Sequence, residues 1–185
     1  MMHTSAHFLQ IAKRCSLLAI FLLLAAALHA APAVICMPPI LQVPTAPPQF
    51  APKMGQAIQA GLAQIWTVRD QRDLQNALKQ HNLDRRVRFT MADYHLLADE
   101  LDAPCVLQTI VKAVSITPAA APGHHNVAIR GSILVVDAQN RKTRHNSSFS
   151  LNRSFQGDYD NAMRELIAAT VNEKILPTCR NLRLR

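Results

Sequence analysis

Apolar residues follow several distinct rhythms along the chain. A block from Cys15 to Leu28 is almost unbroken, and Ala33 to Met37 forms a second, shorter run that stops at Pro38-Pro39. The short run predicts a brief buried strand, ended by residues that cannot donate to a ladder. Six prolines between Pro38 and Pro52 predict an extended loop without regular structure. The period then changes. Met54, Ile58, Leu62 and Ile65 recur at helical spacing, Trp66-Thr67-Val68 reads as a short strand, and Asp70 to Gln80 carries Leu74, Ala77 and Leu78 on one helical face. Val87 to Thr90 reads as a brief extended piece. Met91 to Leu101 follows as a helix with Thr90 as its cap.

The second half is richer in Val and Ile. From Cys105 to Ile116 both alternating sets are largely apolar, as in a central strand covered on two faces. Pro118 to Gly123 punctuates the chain, and Asn126 to Asp137 alternates with Val127, Ile129, Ile133 and Val135 on one side. Asp137 to Asn140 supplies turn chemistry, after which 141–151 returns as a polar edge strand. Met163, Leu166, Ile167, Val171 and Ile175 share one face of a last helix over 159–175, ended by Pro177. The order β-α-β-α-α-β-β-β-α, with a brief extended piece before the third helix, predicts an α/β (α+β) domain. Its mixed sheet has about four to five strands, with helices packed on it.

The block at Cys15–Leu28 changes the picture of where the chain works. Lys13 and Arg14 precede it, no acid occurs before Asp70, and small residues gather at Ala30, Ala31 and Ala33. This is the layout of a secretory signal cut near Ala30, which makes residues 31–185 a single domain. The alternative is a retained anchor, but the block is shorter than the roughly 20 apolar residues of a spanning helix. Bacterial lipid attachment needs a small residue before the modified cysteine. Cys15 follows Arg14 and Cys36 follows Ile35, so a soluble periplasmic or extracellular protein is expected.

The whole chain carries a net charge of +8, and loss of two cations with the signal leaves +6. Such a charge allows an anionic surface as partner. No cluster of cations interleaved with aromatics exists, so nucleic acid is not expected as a partner. The short runs Arg85-Arg86-Val87-Arg88 and Arg141-Lys142-Thr143-Arg144 read as ordinary solvated charge.

Cys36, Cys105 and Cys179 remain after cleavage. In an oxidising compartment one disulfide and one spare thiol are expected. An antiparallel meander would bring the end of the last helix back to where the strand at Cys105 begins. Cys105–Cys179 is therefore the expected bridge, with Cys36 as the rival partner.

Catalytic and metal signatures are weak. His124, His125 and His145 are candidates for a shared metal only if pairing of their strands brings them together, and they lack zinc-ligand spacing. Ser147, Ser148 and Ser150 lie near His145 without a nucleophile elbow around them. Asp158 and Asp160 suit the start of a helix better than acid–base work. Asn146-Ser147-Ser148 and Asn152-Arg153-Ser154 match the glycosylation acceptor and are taken as chance. No cofactor is expected.

Several phrases in sequence order resemble one group of envelope domains. These are the short strand Ala33–Met37 and the strand–helix phrase Trp66-Thr67-Val68-Arg69-Asp70 with the helix that follows. Then come Leu96-Leu97-Ala98-Asp99-Glu100-Leu101-Asp102-Ala103-Pro104-Cys105 and the long strand from Val127 to Asp137-Ala138. Together they resemble the domain shared by the CsgG family of curli secretion proteins, the amino-terminal domain of TolB, and the periplasmic lipoprotein activators of penicillin-binding proteins. The resemblance spans most of 33–176. It implies a non-enzymatic adaptor or assembly domain that contacts envelope proteins. The residues themselves offer two contact surfaces, the Pro-rich segment 38–52 and the edge strand 141–151, whose unpaired backbone groups suit either a partner or self-association. The rival reading is an extracytoplasmic protein that binds a small molecule or metal, and a hydrolase ranks last.

Overall fold

The computed structural model describes residues 33–43 and 46–182, so the expected export segment lies outside the described residues. Twelve elements follow one another. They are β1 (Ala33–Cys36), β2 (Ile40–Leu41), α1 (Phe50–Leu62), β3 (Thr67–Val68), α2 (Gln71–Gln80), α3 (Met91–Glu100), β4 (Cys105–Pro118), β5 (His124–Asp137), β6 (Lys142–Gln156), α4 (Tyr159–Thr170), a π-helical turn (Val171–Ile175) and α5 (Leu176–Arg180).

One mixed sheet runs β3-β1-β4-β5-β6, with β2 also paired to β4. β1 is parallel to both β3 and β4, whereas β4, β5 and β6 form the expected antiparallel meander. Both faces of the parallel half are covered. Val34 and Cys36 point into a core formed with Phe50, Met54 and Ile58 of α1 and Met163 and Leu166 of α4. Ile35 and Met37, one position out of phase, point into the opposite core with Leu74 and Leu78 of α2 and Tyr94 and Leu97 of α3. A strand buried on two faces cannot alternate in polarity, which is why Cys105–Ile116 is apolar in both registers.

The prolines act more locally than a loop over 38–52 requires. β1 and β2 are two pieces of one strand along β4, where Cys36 faces Leu107 and Ile40 faces Ile110. The proline side therefore carries one extra residue, a bulge at Pro38-Pro39, whose rings have no N–H to give. Met37 N donates to Leu107 O before the bulge and Gln42 N to Val111 O after it, both at 2.9 Å. Gln108, fully buried, holds the interruption: its Nε2 donates to Pro38 O at 2.8 Å and to Thr109 O at 3.1 Å. Helix α1 also begins inside the expected loop, at Phe50, and Pro52 is tolerated because the first helical turn has free N–H groups.

Two further expectations need correction. No strand forms over Val87–Thr90, which is a bend leading into α3. Instead, Thr90 and Asp93 form a capping box, with Thr90 N donating to Asp93 Oδ2 at 2.7 Å and Asp93 N to Thr90 Oγ1 at 3.3 Å. The chain also remains helical through Pro177, which lies at the start of α5. A pyrrolidine ring clashes with the carbonyl four residues earlier, and the wider π turn over Val171–Ile175 accommodates it. The Thr178 hydroxyl donates to Lys174 O at 2.7 Å across the same turn.

At Gly131 on β5 a Cβ would lie 2.4 Å from Ile110 O and 2.5 Å from the Phe149 ring. Phe149 of β6 therefore packs over a bare backbone, which joins the middle of the meander. Gly131→Ala is expected to lower stability by about 1 to 3 kcal/mol, the usual cost of overpacking. Urea unfolding measures this, and an unchanged midpoint would show that the ring simply moves aside.

Candidate functional site

Register decides the histidine question. His125 faces Phe155 and His145 faces Val135, so the two sit ten residues apart along the hairpin. At the rise of a β-strand that is about 33 Å. His124 and His125 are held at one end, by Pro122 O and Gly157 O, each at 3.1 Å. At the other end, His145 Nε2 lies 2.8 Å from Ser147 Oγ. Strand pairing therefore does not bring the three imidazoles together, and no cluster of three potential metal ligands exists among the described residues. His145 and Ser147 are ordinary i, i+2 neighbours on one side of a strand, with no carboxylate among the described residues bonded to the ring.

The cysteines also differ from expectation. Cys36, Cys105 and Cys179 are buried in one core and all three are free, so the Cys105–Cys179 bridge is not formed in this structure. Cys179 approaches Cys36 instead. Burial, then the proximity of Cys179, pushes the Cys36 thiol up to about 12, and burial alone does the same for Cys179. Both stay protonated and behave as small apolar side chains.

What the fold does present is an edge. β6 spans Lys142–Gln156, fifteen residues, and only its β5 side is paired within the sheet. Phe149 and Leu151 point into the core, 8 % and 6 % exposed. Asn146, Ser148, Ser150, Asn152 and Ser154 line the opposite, exposed face. Beyond the reach of α2 and α3, β4 and β5 continue this polar surface with Ser115, Thr117, Asn126 and Arg130. The opposite edge of the sheet is β3, only two residues long.

Two ion pairs fix β6 in place. Arg153 makes a bidentate contact with Glu173 of the π turn, at 2.7 and 2.6 Å. Near the hairpin, a register shift between Val135 and Val136 sets Arg144 out of the ladder and over Asp137. Arg144 Nε and its terminal nitrogen donate to Asp137 Oδ2 at 2.9 and 2.6 Å, and Asn140 N and Nδ2 donate to the same carboxylate at 3.0 Å. Burial alone would raise the Asp137 carboxyl. The donors from Asn140 and then Arg144 outweigh it and bring the pKa to about 2. The two short basic runs are thus partly neutralised, since Arg86 pairs with Asp93 just as Arg144 pairs with Asp137.

Comparison with known proteins reaches the fold. No protein-family model matches the chain, and no curated protein matches it in sequence. Among solved structures, the lipoprotein GNA1162 from Neisseria meningitidis is similar at 17 % identity with a TM-score of 0.54, over 77 % of this chain and 96 % of that one. The hypothetical protein CT253 from Chlamydia trachomatis is similar at 10 % identity with a TM-score of 0.52, over 80 % and 96 %. The LpoB carboxy-terminal domain from Escherichia coli aligns at 12 % identity with a TM-score of 0.49, over 67 % and 84 %. The mixed α/β architecture is therefore one that a neisserial lipoprotein also has. No helix among the described residues is long and apolar enough to cross a membrane.

The Asp137 pocket makes a pH prediction. A carboxylate whose pKa falls on folding adds stability at pH above its unfolded value of about 3.8, and that stability is lost as pH falls toward about 2. Asp137→Asn is expected to lower stability at neutral pH by about 1.5 to 3 kcal/mol, the range for hydrogen bonds to a charged group. It should also flatten the acid limb of a melting-temperature profile between pH 4 and 2, where an unchanged limb would assign that slope to other carboxylates.

Proposed function

We propose that this chain is a non-catalytic interaction domain of the bacterial cell envelope, and that it contacts its partner by adding a strand to β6. The observation that carries this reading is the length of the open edge. From His145 to Gln156, beyond the bulge at Arg144, the ladder to β5 is unbroken and free of proline, and it leaves one row of backbone donors and acceptors unpaired within the sheet. Proteins ordinarily blunt such edges with prolines, short strands or covering elements, because an unpaired row is a template for another strand. Here the inner side of the strand is anchored by Phe149, Leu151 and the Arg153–Glu173 pair, so the edge is held in strand geometry before any partner arrives. Preorganisation of this kind lowers the ordering cost of association.

Export is supported by the apolar block behind Lys13-Arg14, and an envelope setting by the fold shared with a neisserial lipoprotein. A non-catalytic role is supported by the scatter of the reactive side chains. The histidines lie at opposite ends of the hairpin, and the thiols are buried and protonated.

Strand geometry supplies the test. Consecutive residues of an edge strand direct their N–H groups to opposite sides, so one of Ser147 and Ser148 donates to β5 and the other faces out. Proline at the outward position should abolish crosslinking of the full chain to envelope partners, or its self-association, and leave the melting temperature unchanged. Proline at the inward position should lower the melting temperature. If neither substitution affects association, the edge is not the contact surface.

A further inference from the structure

The sheet changes the direction of its winding at β1. The chain leaving β1 passes to α1, which packs on the face of Val34 and Cys36. The chain leaving the neighbouring β3 passes to α2, which packs on the face of Ile35 and Met37. Two adjacent parallel strands whose carboxyl ends feed opposite layers leave a crevice between the departing segments, the place where open α/β sheets take their ligands. In this protein the crevice is a cavity of about 310 Å³, lined by Cys36–Pro39, by one side of α1 between Ala51 and Gln59, and by Gln71 and Gln75 of α2.

Its walls have a definite chemistry. Gln56 and Gln59 approach from α1 at i, i+3 spacing, and Gln71 and Gln75 from α2 at i, i+4 spacing, so each pair occupies one helical face. Met37, Pro38, Pro39 and Pro52 supply the apolar surface between them. Although the chain carries 20 Lys+Arg and 12 Asp+Glu, no charged residue among the described residues lines the cavity. Gln108 is tied to Pro38 O, but none of the four lining amides has a hydrogen-bond partner among the described residues.

The proline wall of the site is held in place. Gly55 allows α1 to approach the Pro39 ring, to which a Cβ at that position would come within 3.1 Å. Gln108 holds the Pro38 carbonyl from below at 2.8 Å. The proline wall is therefore held by Gln108 at Pro38 and by the close approach of α1 at Pro39.

We propose that this crevice binds a compact, uncharged ligand that presents amide groups. A glutamine amide both donates and accepts, so facing pairs match a group that does the same. Absence of any charge on the walls removes the attraction a phosphate or carboxylate would need, and the proline and methionine surface suits the C–H face of a small ligand. The acetamido group of an amino sugar and the backbone of a short peptide share this chemistry.

Nuclear magnetic resonance of the full chain separates these sources. N-acetylglucosamine, N-acetylalanine methylamide and glucose are titrated separately to millimolar concentration. Shifts at Gly55 and at the side-chain amides of Gln56, Gln59, Gln71 and Gln75 are expected with one of the two amide probes and not with glucose. Whichever amide probe binds identifies the source. Gln59→Leu and Gln75→Leu, both on accessible helical faces, should each weaken binding about tenfold, roughly the loss of one hydrogen bond, with no change in melting temperature. No shift with either amide probe, equal shifts with glucose, or unaltered affinity in both variants would overturn the proposal. This site is independent of the β6 edge, and proline substitution there should leave these shifts unchanged.

Discussion

Two prolines that cannot donate to a ladder set the limits of the parallel half of this domain. β1 pairs with β4 only as far as Met37, and the bulge at Pro38-Pro39 allows just two more paired residues before the chain leaves for α1. A fully buried side chain, Gln108, grips the bulge. Everything beyond depends on that early stop. The second half of β4 is left to pair with β5 alone, and the antiparallel meander extends past the helical layers with one polar face in water. The same bulge forms a wall of the crevice between α1 and α2. Burying Gln108 has a cost, because its Oε1 and the neighbouring Thr109 Oγ1 lack partners among the described residues. Each such atom typically costs about 1 to 3 kcal/mol, so the interruption is held against a penalty.

Much of this architecture was legible from period alone. Met54, Ile58 and Leu62 announced α1, Leu74, Ala77 and Leu78 announced α2, and the double apolar register of Cys105–Ile116 announced a strand covered on both faces. The edge position of the last strand followed from its polar pattern. The misses have physical causes. β2 is hidden because its two residues sit among prolines, and only the long strand beside them shows that they pair. The π turn is hidden because Pro177 reads as a stop, whereas the preceding turn widens to admit it.

The site was less legible than the fold. Proximity of His124, His125 and His145 was a matter of register, and a hairpin turning near Ala138 and Gln139 pairs His145 with Val135 and sends His125 to the far end. That symmetry was available from the turn and argued against the cluster. The cysteine pairing failed differently, because Cys179 returns near Cys36 and leaves Cys105 beside Asp137 and Arg144. The four glutamines gave no signal of their own, since Gln71 and Gln75 look like any solvated helical face. Only opposite winding of α1 and α2 brings them to one cavity.

The outward row of β6 is the proposed contact surface, and hydrogen exchange resolved to single amides addresses it directly. In the free chain, alternate amides of His145–Gln156 are expected to exchange slowly where they donate to β5 and fast where they face outward. On association with an envelope partner or a second copy, the fast set should become protected while the slow set changes little. Protection that falls on other elements, with the outward amides of β6 still exchanging freely, would contradict the proposed function.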